Sequence, residues 1–260
     1  MTDDLVVVDS SGAVCTLTLD SPHNRNALSS ALLDQLVTAF RGATSDRSTR
    51  AIVLTGTGSV FSSGADLSER GEFRSARMEE LLALISSAPV PVMARVNGHA
   101  RAGGIGLIAA SDLAVGLAAS TFGFSEVRLG VAPALIMVPA LRKMPRRFLE
   151  RTMLTGASFT GAEAAAAGLL TAAVDDVAAL DAWVGATTTD ILKSAPGAVA
   201  ATKQLLHAVP DLDFADALAL AGAKSAELFN GEEAAEGMEA FFAKRPPAWD
   251  EIAESTGNAP

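Results

Sequence analysis

The sequence predicts an α/β fold with a helical C-terminal part, and three observations carry that prediction. Short apolar runs alternate with helix-compatible segments as far as residue 115, the pattern of βα units sharing a sheet. From residue 134 onward the chain is alanine-rich and reads as mostly helical, broken at Pro145, Gly156 to Thr160, Gly168, Pro196 and Pro210. At 260 residues and 49% hydrophobic, the chain has enough apolar side chain for a sizeable core, which argues against disorder.

In chain order, Val6 to Val8 and Val14 to Leu19 flank Ser11-Gly12 and read as a β-hairpin. The link from Asp20 to Leu28 is loop-like, and Ser29 or Ser30 can cap a helix that ends near Gly42. Ala51 to Thr55 is a short buried strand, followed by the glycine- and serine-rich loop Gly56 to Asp66. Residues 75–87 look helical, and Pro89 and Pro91 punctuate before a strand at 92–96. The stretch Asn97 to Gly106 (N-G-H-A-R-A-G-G-I-G) leads into a helix expected from Ile105, with a short strand at Leu113 to Val115 beyond it. Ala164 to Ala167 is helix filler, no internal repeat of fixed period is visible, and Ser255 to Pro260 reads as a frayed tail.

Composition removes several function classes. A net charge of −10 argues against nucleic acid as a partner, although a local basic patch could still hold a small phosphorylated ligand. Cys15 is the only cysteine, which excludes an internal disulfide and fits a reducing cytoplasm. Residues 1–4 lack the basic start of a signal peptide, and the most apolar run, Val131 to Leu141, carries two prolines and is too short to span a bilayer. A soluble cytoplasmic protein without a membrane partner is expected. His23, His99 and His207 show no metal-ligand spacing, so no metal is expected. There is no Gly-x-Ser-x-Gly elbow and no Gly-Lys-Ser or Gly-Lys-Thr phosphate loop.

The chemistry-bearing candidates are two glycine loops and a carboxylate. Gly103, Gly104 and Gly106 crowd a strand-to-helix junction, where glycine admits close backbone approach and the first amides of the helix lack partners. That is the outfit of an anion or oxyanion site. Gly104-x-Gly106-x-x-Ala109, with Glu126 about twenty residues on, also fits a dinucleotide fingerprint. Its glycines lie seven or more residues past the strand, however, and Glu126 lies well beyond the next strand, so the context argues against it. In the loop Phe61 to Leu67, Gly64 permits a strained turn that could free the Ala65 N–H, while Asp66 could equally be an ordinary helix cap. Glu126 stands among small and apolar residues in Phe122 to Gly130, where desolvation would raise its pKa; an ion pair with Arg128 or a helix-start role is the competing reading. His99 and Arg101 read as structural or solvent-facing, and Arg142, Lys143, Arg146 and Arg147 as a solvated helix face.

These segments together resemble the enoyl-CoA hydratase/isomerase (crotonase) superfamily. The matching pieces, in the family's order, are Asn24 to Leu28, Phe61 to Leu67, Asn97 to Gly104, Ser111 to Ala114 and Phe122 to Gly130. They continue with Leu154 to Gly156 together with Ala164 to Leu169, and Phe241 to Pro247. The resemblance covers nearly the whole chain. It implies a crotonase-like spiral of ββα units over residues 1–195 and a C-terminal helical region over 196–260 that builds trimers, often paired as hexamers, and covers the site. It implies an acyl-CoA thioester as ligand, with no cofactor beyond the coenzyme A of the substrate. By carry-over, the amides of Ala65 and Gly103 hold the thioester oxygen and Glu126 moves the proton. Arg25, Ala27, Leu28, Gly64, Asp66, Leu67, Gly104 and Lys244 fall where members bind CoA.

Two departures stand out. Gly106 occupies the position where well-known hydratases carry a second glutamate, and Pro133 to Met137 replaces a glycine-rich run. Arg101 and Ala102 also replace smaller or apolar residues. The surrounding segments nevertheless look similar to hydratases of branched or carboxylated enoyl-CoAs. The expected activity is therefore enoyl-CoA hydration, with Δ3-Δ2 isomerisation or non-catalytic acyl-CoA binding as the alternatives.

Overall fold

A computed structural model describes residues 4–69 and 75–250. The tail from Ser255 to Pro260, and all of the acidic start except Asp4, lie outside these residues.

The hairpin forms as β1 (Val6–Ser11) and β2 (Val14–Leu19), antiparallel, and turns on Gly12 at φ +58. In β2, Cys15, Leu17 and Leu19 alternate inward, as a half-buried strand requires. Ser29 caps α1 (Ser30–Ser45) by accepting the N–H of Leu32 at 3.2 Å. The buried stripe of α1 is Leu32, Leu33, Leu36, Val37 and Phe40, spaced for one helical face. This helix runs three residues past the expected end at Gly42. Glycine inside a helix costs only about 1 kcal/mol, and the ladder continues through Asp46 N–H to the Gly42 carbonyl.

Three stacked turns follow. The first is β3 (Ala51–Gly56), β4 (Val60–Ser62) and α2 (Ser75–Ser87). The second is β5 (Val92–Val96), β6 (His99–Arg101) and α3 (Gly103–Ala110). The third is β7 (Leu113–Leu117), β8 (Thr121–Gly123), a 3-10 turn at Glu126–Leu129 and α4 (Ala134–Lys143). The first strand of each turn joins a large sheet and the second joins a small one, all parallel to their counterparts. Side-chain amides tie the corners between sheets. Asn97 accepts the Gly56 N–H at 3.2 Å and donates to the Gly58 carbonyl at 2.7 Å, and Asn26 donates to the carbonyls of Thr57 and Val60. Gly98 has no room for a side chain, because a Cβ there would fall on the Ser59 carbonyl.

The C-terminal part contains α5 (Arg146–Thr155), β9 (Ser158–Thr160), α6 (Gly161–Ala166), β10 (Ala172–Val174), α7 (Val177–Leu192), α8 (Pro196–Ala208), α9 (Phe214–Phe229) and α10 (Glu232–Ala243). Two strands thus interrupt the expected helical run. β9 pairs antiparallel with β8, and β10 closes the large sheet beside β7, giving orders β4-β6-β8-β9 and β1-β2-β3-β5-β7-β10. Each has three residues, too short to show a period, and an existing sheet edge supplies the partner that their sequence does not announce. Expected breaks at Pro145, Gly156 and Pro196 fall at helix ends, with Gly156 left-handed at φ +66. Lys203 joins α8 to the core: its Nζ pairs with Asp112 at 2.7 Å and donates to the carbonyls of Ile85 and Val90. Among the described residues no helix is long and apolar enough to cross a membrane.

Candidate active site

The Asp20–Leu28 link and the Phe61–Leu67 loop are laced together. Leu28 N–H donates to the Gly64 carbonyl at 2.8 Å, Ser63 N–H to the Arg25 carbonyl at 3.0 Å, and Ser62 Oγ to the Asn26 carbonyl at 2.8 Å. A single parallel bridge sets Leu28 against Ala65. Gly64 adopts φ +89, a conformation that favours glycine. Asp66 does not cap a helix. It accepts the Ser68 N–H and hydroxyl at 2.9 and 2.7 Å, and these bonds hold its carboxyl below the usual range.

The second loop meets the first. Ala102 sits at φ +46, an uncommon position for a residue with a Cβ, and turns the chain into α3, which opens at Gly103 rather than at Ile105. A Cβ on Gly64 would lie 2.7 Å from the Ala102 Cβ and 3.5 Å from the Gly103 nitrogen, and one on Gly103 would lie 2.9 Å from Leu28 Cδ1. Glycine is therefore what allows the two loops to touch. Gly103 is the first residue of α3, so its N–H has no acceptor within the helix and sits at the positive end of the helix dipole.

Gly104 and Gly106 serve packing. A Cβ on Gly104 would lie 2.8 Å from the Ser62 Cβ, and one on Gly106 would lie 2.5 Å from Ile136 Cγ2. A dinucleotide loop needs its glycines open to a pyrophosphate, and these two are filled from the protein side.

Glu126 opens the 3-10 turn. Its Oε2 is buried with no hydrogen-bond partner, and burial pushes the carboxyl up from its ordinary value. The alternative ion pair with Arg128 does not form. Arg128 Nε donates to the Thr155 carbonyl at 3.3 Å, and the side chain lies across Gly156.

One cavity of about 480 Å³ brings Leu28, Ala65, Asp66, Leu67, Gly103 and Glu126 together. Arg25, Ala27, Gly64 and Gly104 are not in its lining; they stand in the backbone framework that shapes it. Lys244 caps α10 at φ +55, outside the residues around this cavity. Sequence reasoning missed the opposite wall, formed by Leu33, Met78, Leu135 and Ile136. Half of it, Leu135 and Ile136, lies in the Pro133–Met137 segment that the sequence marks as a departure from the family pattern without placing it at the cavity. Glu69, also in the lining, accepts the N–H and hydroxyl of Ser30 at the start of α1. His99 and Arg101 are structural: His99 Nδ1 accepts the Thr121 N–H at 2.9 Å, and Arg101 donates to Thr121 Oγ1 at 2.8 Å. The basic cluster faces solvent, with Arg142 on Asp211 and both Arg146 and Arg147 on Glu150.

Stacked ββα turns, with a cavity that holds both a helix start and the half-buried Glu126 carboxyl, put the molecule in the crotonase fold class. Comparison with known proteins agrees. The family model for enoyl-CoA hydratase/isomerase matches residues 9–252. The solved structure of AtuE from Pseudomonas aeruginosa superposes with a TM-score of 0.89 at 33% identity, covering 95% of this chain and 100% of that one. An enoyl-CoA hydratase from Mycobacterium smegmatis gives 0.89 at 34% identity, with 95% and 99% covered. The 2,3-dehydroadipyl-CoA hydratase of Escherichia coli is 31% identical over 248 residues, 93% of this chain and 97% of that protein. The chain belongs to the enoyl-CoA hydratase/isomerase family.

Proposed function

We propose that the protein is an enoyl-CoA hydratase that adds water to a 2-enoyl thioester with Glu126 as its one acid/base. The observation that carries this is a half-buried carboxyl, its Oε2 without a hydrogen-bond partner, sharing a cavity with Ala65 and Gly103. The Glu126 carboxylate takes a proton from water as the water oxygen bonds to C3. The C2–C3 π pair moves toward the carbonyl, and the two amides hold the thioester oxygen as it gains enolate charge. Glu126, now protonated, returns that proton to C2 on the same face, so the addition is syn and no separate cofactor is needed. Leu28, Asp66 and Leu67 would contact the CoA arm. Arg25, Ala27, Gly64 and Gly104 would shape its seat, and Lys244 would reach its phosphates. A raised carboxyl pKa suits a group that must both accept and return a proton near neutrality.

Δ3-Δ2 isomerisation is the second reading, and one observation favours it. Ile136 and Met78 fill the space at Gly106, so an apolar wall stands where a second carboxylate would have to be. A single base that takes a proton from C2 and returns it to C4 needs no second acid. Spectrophotometry separates the readings. Loss of conjugated-thioester absorbance with crotonyl-CoA supports hydration, its appearance from a 3-enoyl-CoA supports isomerisation, and binding without either leaves a non-catalytic acyl-CoA binder. A homotrimer, or a dimer of trimers, in the cytoplasm is part of the same proposal. The unburied aromatic residues of α9 and α10, Phe214, Phe229, Phe241 and Phe242, support it.

A further inference from the structure

Gly106 and Ile136 form a contact that neither glycine motifs nor proton transfer explains. Gly106 lies three residues beyond Gly103 in α3, on the same helical face as the amide at the helix start. Ile136 stands in the first turn of α4, is 4% exposed, and lines the cavity that holds Glu126. A Cβ on Gly106 would lie 2.5 Å from Ile136 Cγ2 and 3.0 Å from its Cβ, and 3.2 Å from Met78 Cε. The two neighbours differ in what they can yield. Isoleucine is branched at Cβ and stiff at χ1, whereas methionine is unbranched and adapts to gaps.

We propose that Ile136 determines the acyl specificity of this cavity, and that Gly106 is the gap that seats it. With Gly106 empty, the Ile136 side chain lodges against α3 and forms a rigid wall of the chamber. Any bulk at position 106 drives that side chain out of its seat and into the space for the acyl group. Trimming Ile136 opens the same space. The inference rests on the reading of the ligand as an acyl-CoA, but not on which reaction follows.

The test is a cycle of Ile136→Ala, Gly106→Ala and the double variant, with the milder Ile136→Val kept in case either alanine change impairs folding. The readout is the ratio of kcat/KM for trans-2-decenoyl-CoA to that for crotonyl-CoA. Dissociation constants of decanoyl-CoA and butyryl-CoA by calorimetry give the same ratio without turnover. Ile136→Ala should shift both ratios toward the longer chain by about tenfold or more, since a methylene-sized change in an apolar pocket is worth at least that. Ile136→Val should shift them the same way by less, and Gly106→Ala should shift them the opposite way. The double variant should match Ile136→Ala rather than fall between the two single variants, because the added methyl then meets no branched side chain. Unchanged ratios in folded Ile136 variants, or single effects that merely add in the double, would overturn the proposal. Absence of turnover in the parent enzyme would refute the proposed reaction, and the calorimetric ratios would still decide the role of Ile136.

Discussion

Strand β3 buries all six of its residues, whereas α9, sixteen residues long, buries none. The same contrast runs through the molecule. In the hairpin, α1 and the stacked turns, Leu17, Phe40, Leu54, Phe61, Val96 and Phe122 are fully enclosed by the chain's own side chains. In the last two helices, Phe214, Phe229, Phe241 and Phe242 stand 70–80% exposed. Hydrophobic burial scales with the apolar area removed from water, so the turns can supply their own stability and hold a cavity in fixed shape. The last helices contribute little to that core, and their apolar faces remain available for association.

The largest expected stability effect lies where the two regions join. Lys203 is 7% exposed, and its ion pair with Asp112 is the charge contact that anchors α8. Lys203→Ala would leave Asp112 with only the Val92 N–H at 2.8 Å and the His207 ring at 3.6 Å, and chemical denaturation should show a loss of about 2–3 kcal/mol. A stability equal to the parent's would mean that α8 is not tied to the core there.

Next in size is Glu126, where the core gives up stability for chemistry. Burial raises the folded-state pKa of this carboxyl above its unfolded value, so the charge is disfavoured in the fold. Its contribution to stability is therefore full below the unfolded glutamate pKa and is lost as pH rises through the folded one. Glu126→Gln should hold or raise Tm at neutral pH, with the difference vanishing in acid, and should lower kcat by at least ~10². The acid limb of kcat/KM in the parent should fall above the ordinary glutamate pKa. A limb at or below that value would remove desolvation from the account.

Arg128→Ala should cost about 1 kcal/mol, the worth of one hydrogen bond onto the end of α5. The smallest change in the stability of a single chain, within about 0.5 kcal/mol, is expected for Phe241→Ser with Phe242→Ser, whose side chains are mostly exposed. That pair should instead lower the mass seen by light scattering. An unchanged mass would detach these aromatics from assembly.

Legibility in the sequence follows the same divide between local and non-local causes. The hairpin turn at Gly12, the Ser29 cap, the helix at 75–87 and the strand at 92–96 are set by neighbours in the chain, and all were readable. The meeting of Gly64 with Gly103 came from a family resemblance; spacing alone does not specify it. β9 and β10 were not readable, because their pairing partners lie about forty and sixty residues away. The repeating ββα turns came from the family resemblance and not from a period, because their first strands begin at Ala51, Val92 and Leu113, an uneven spacing. Ile136 was visible within the Pro133–Met137 departure from the family pattern, but nothing local says that it would fill the space left by Gly106.

The claim that the amides of Ala65 and Gly103 act together on one oxygen has a direct test in the vibrational spectrum of the ligand. Difference infrared spectroscopy with a 13C=O-labelled enoyl-CoA reads the thioester carbonyl stretch when the ligand is bound. The account predicts a shift to lower frequency on binding to the parent protein, kept in Gly103→Ala, whose Cβ meets Leu28 Cδ1 while its N–H remains, and largely lost in Gly103→Pro, which removes that donor. A bound carbonyl that absorbs where the free ligand does would contradict it.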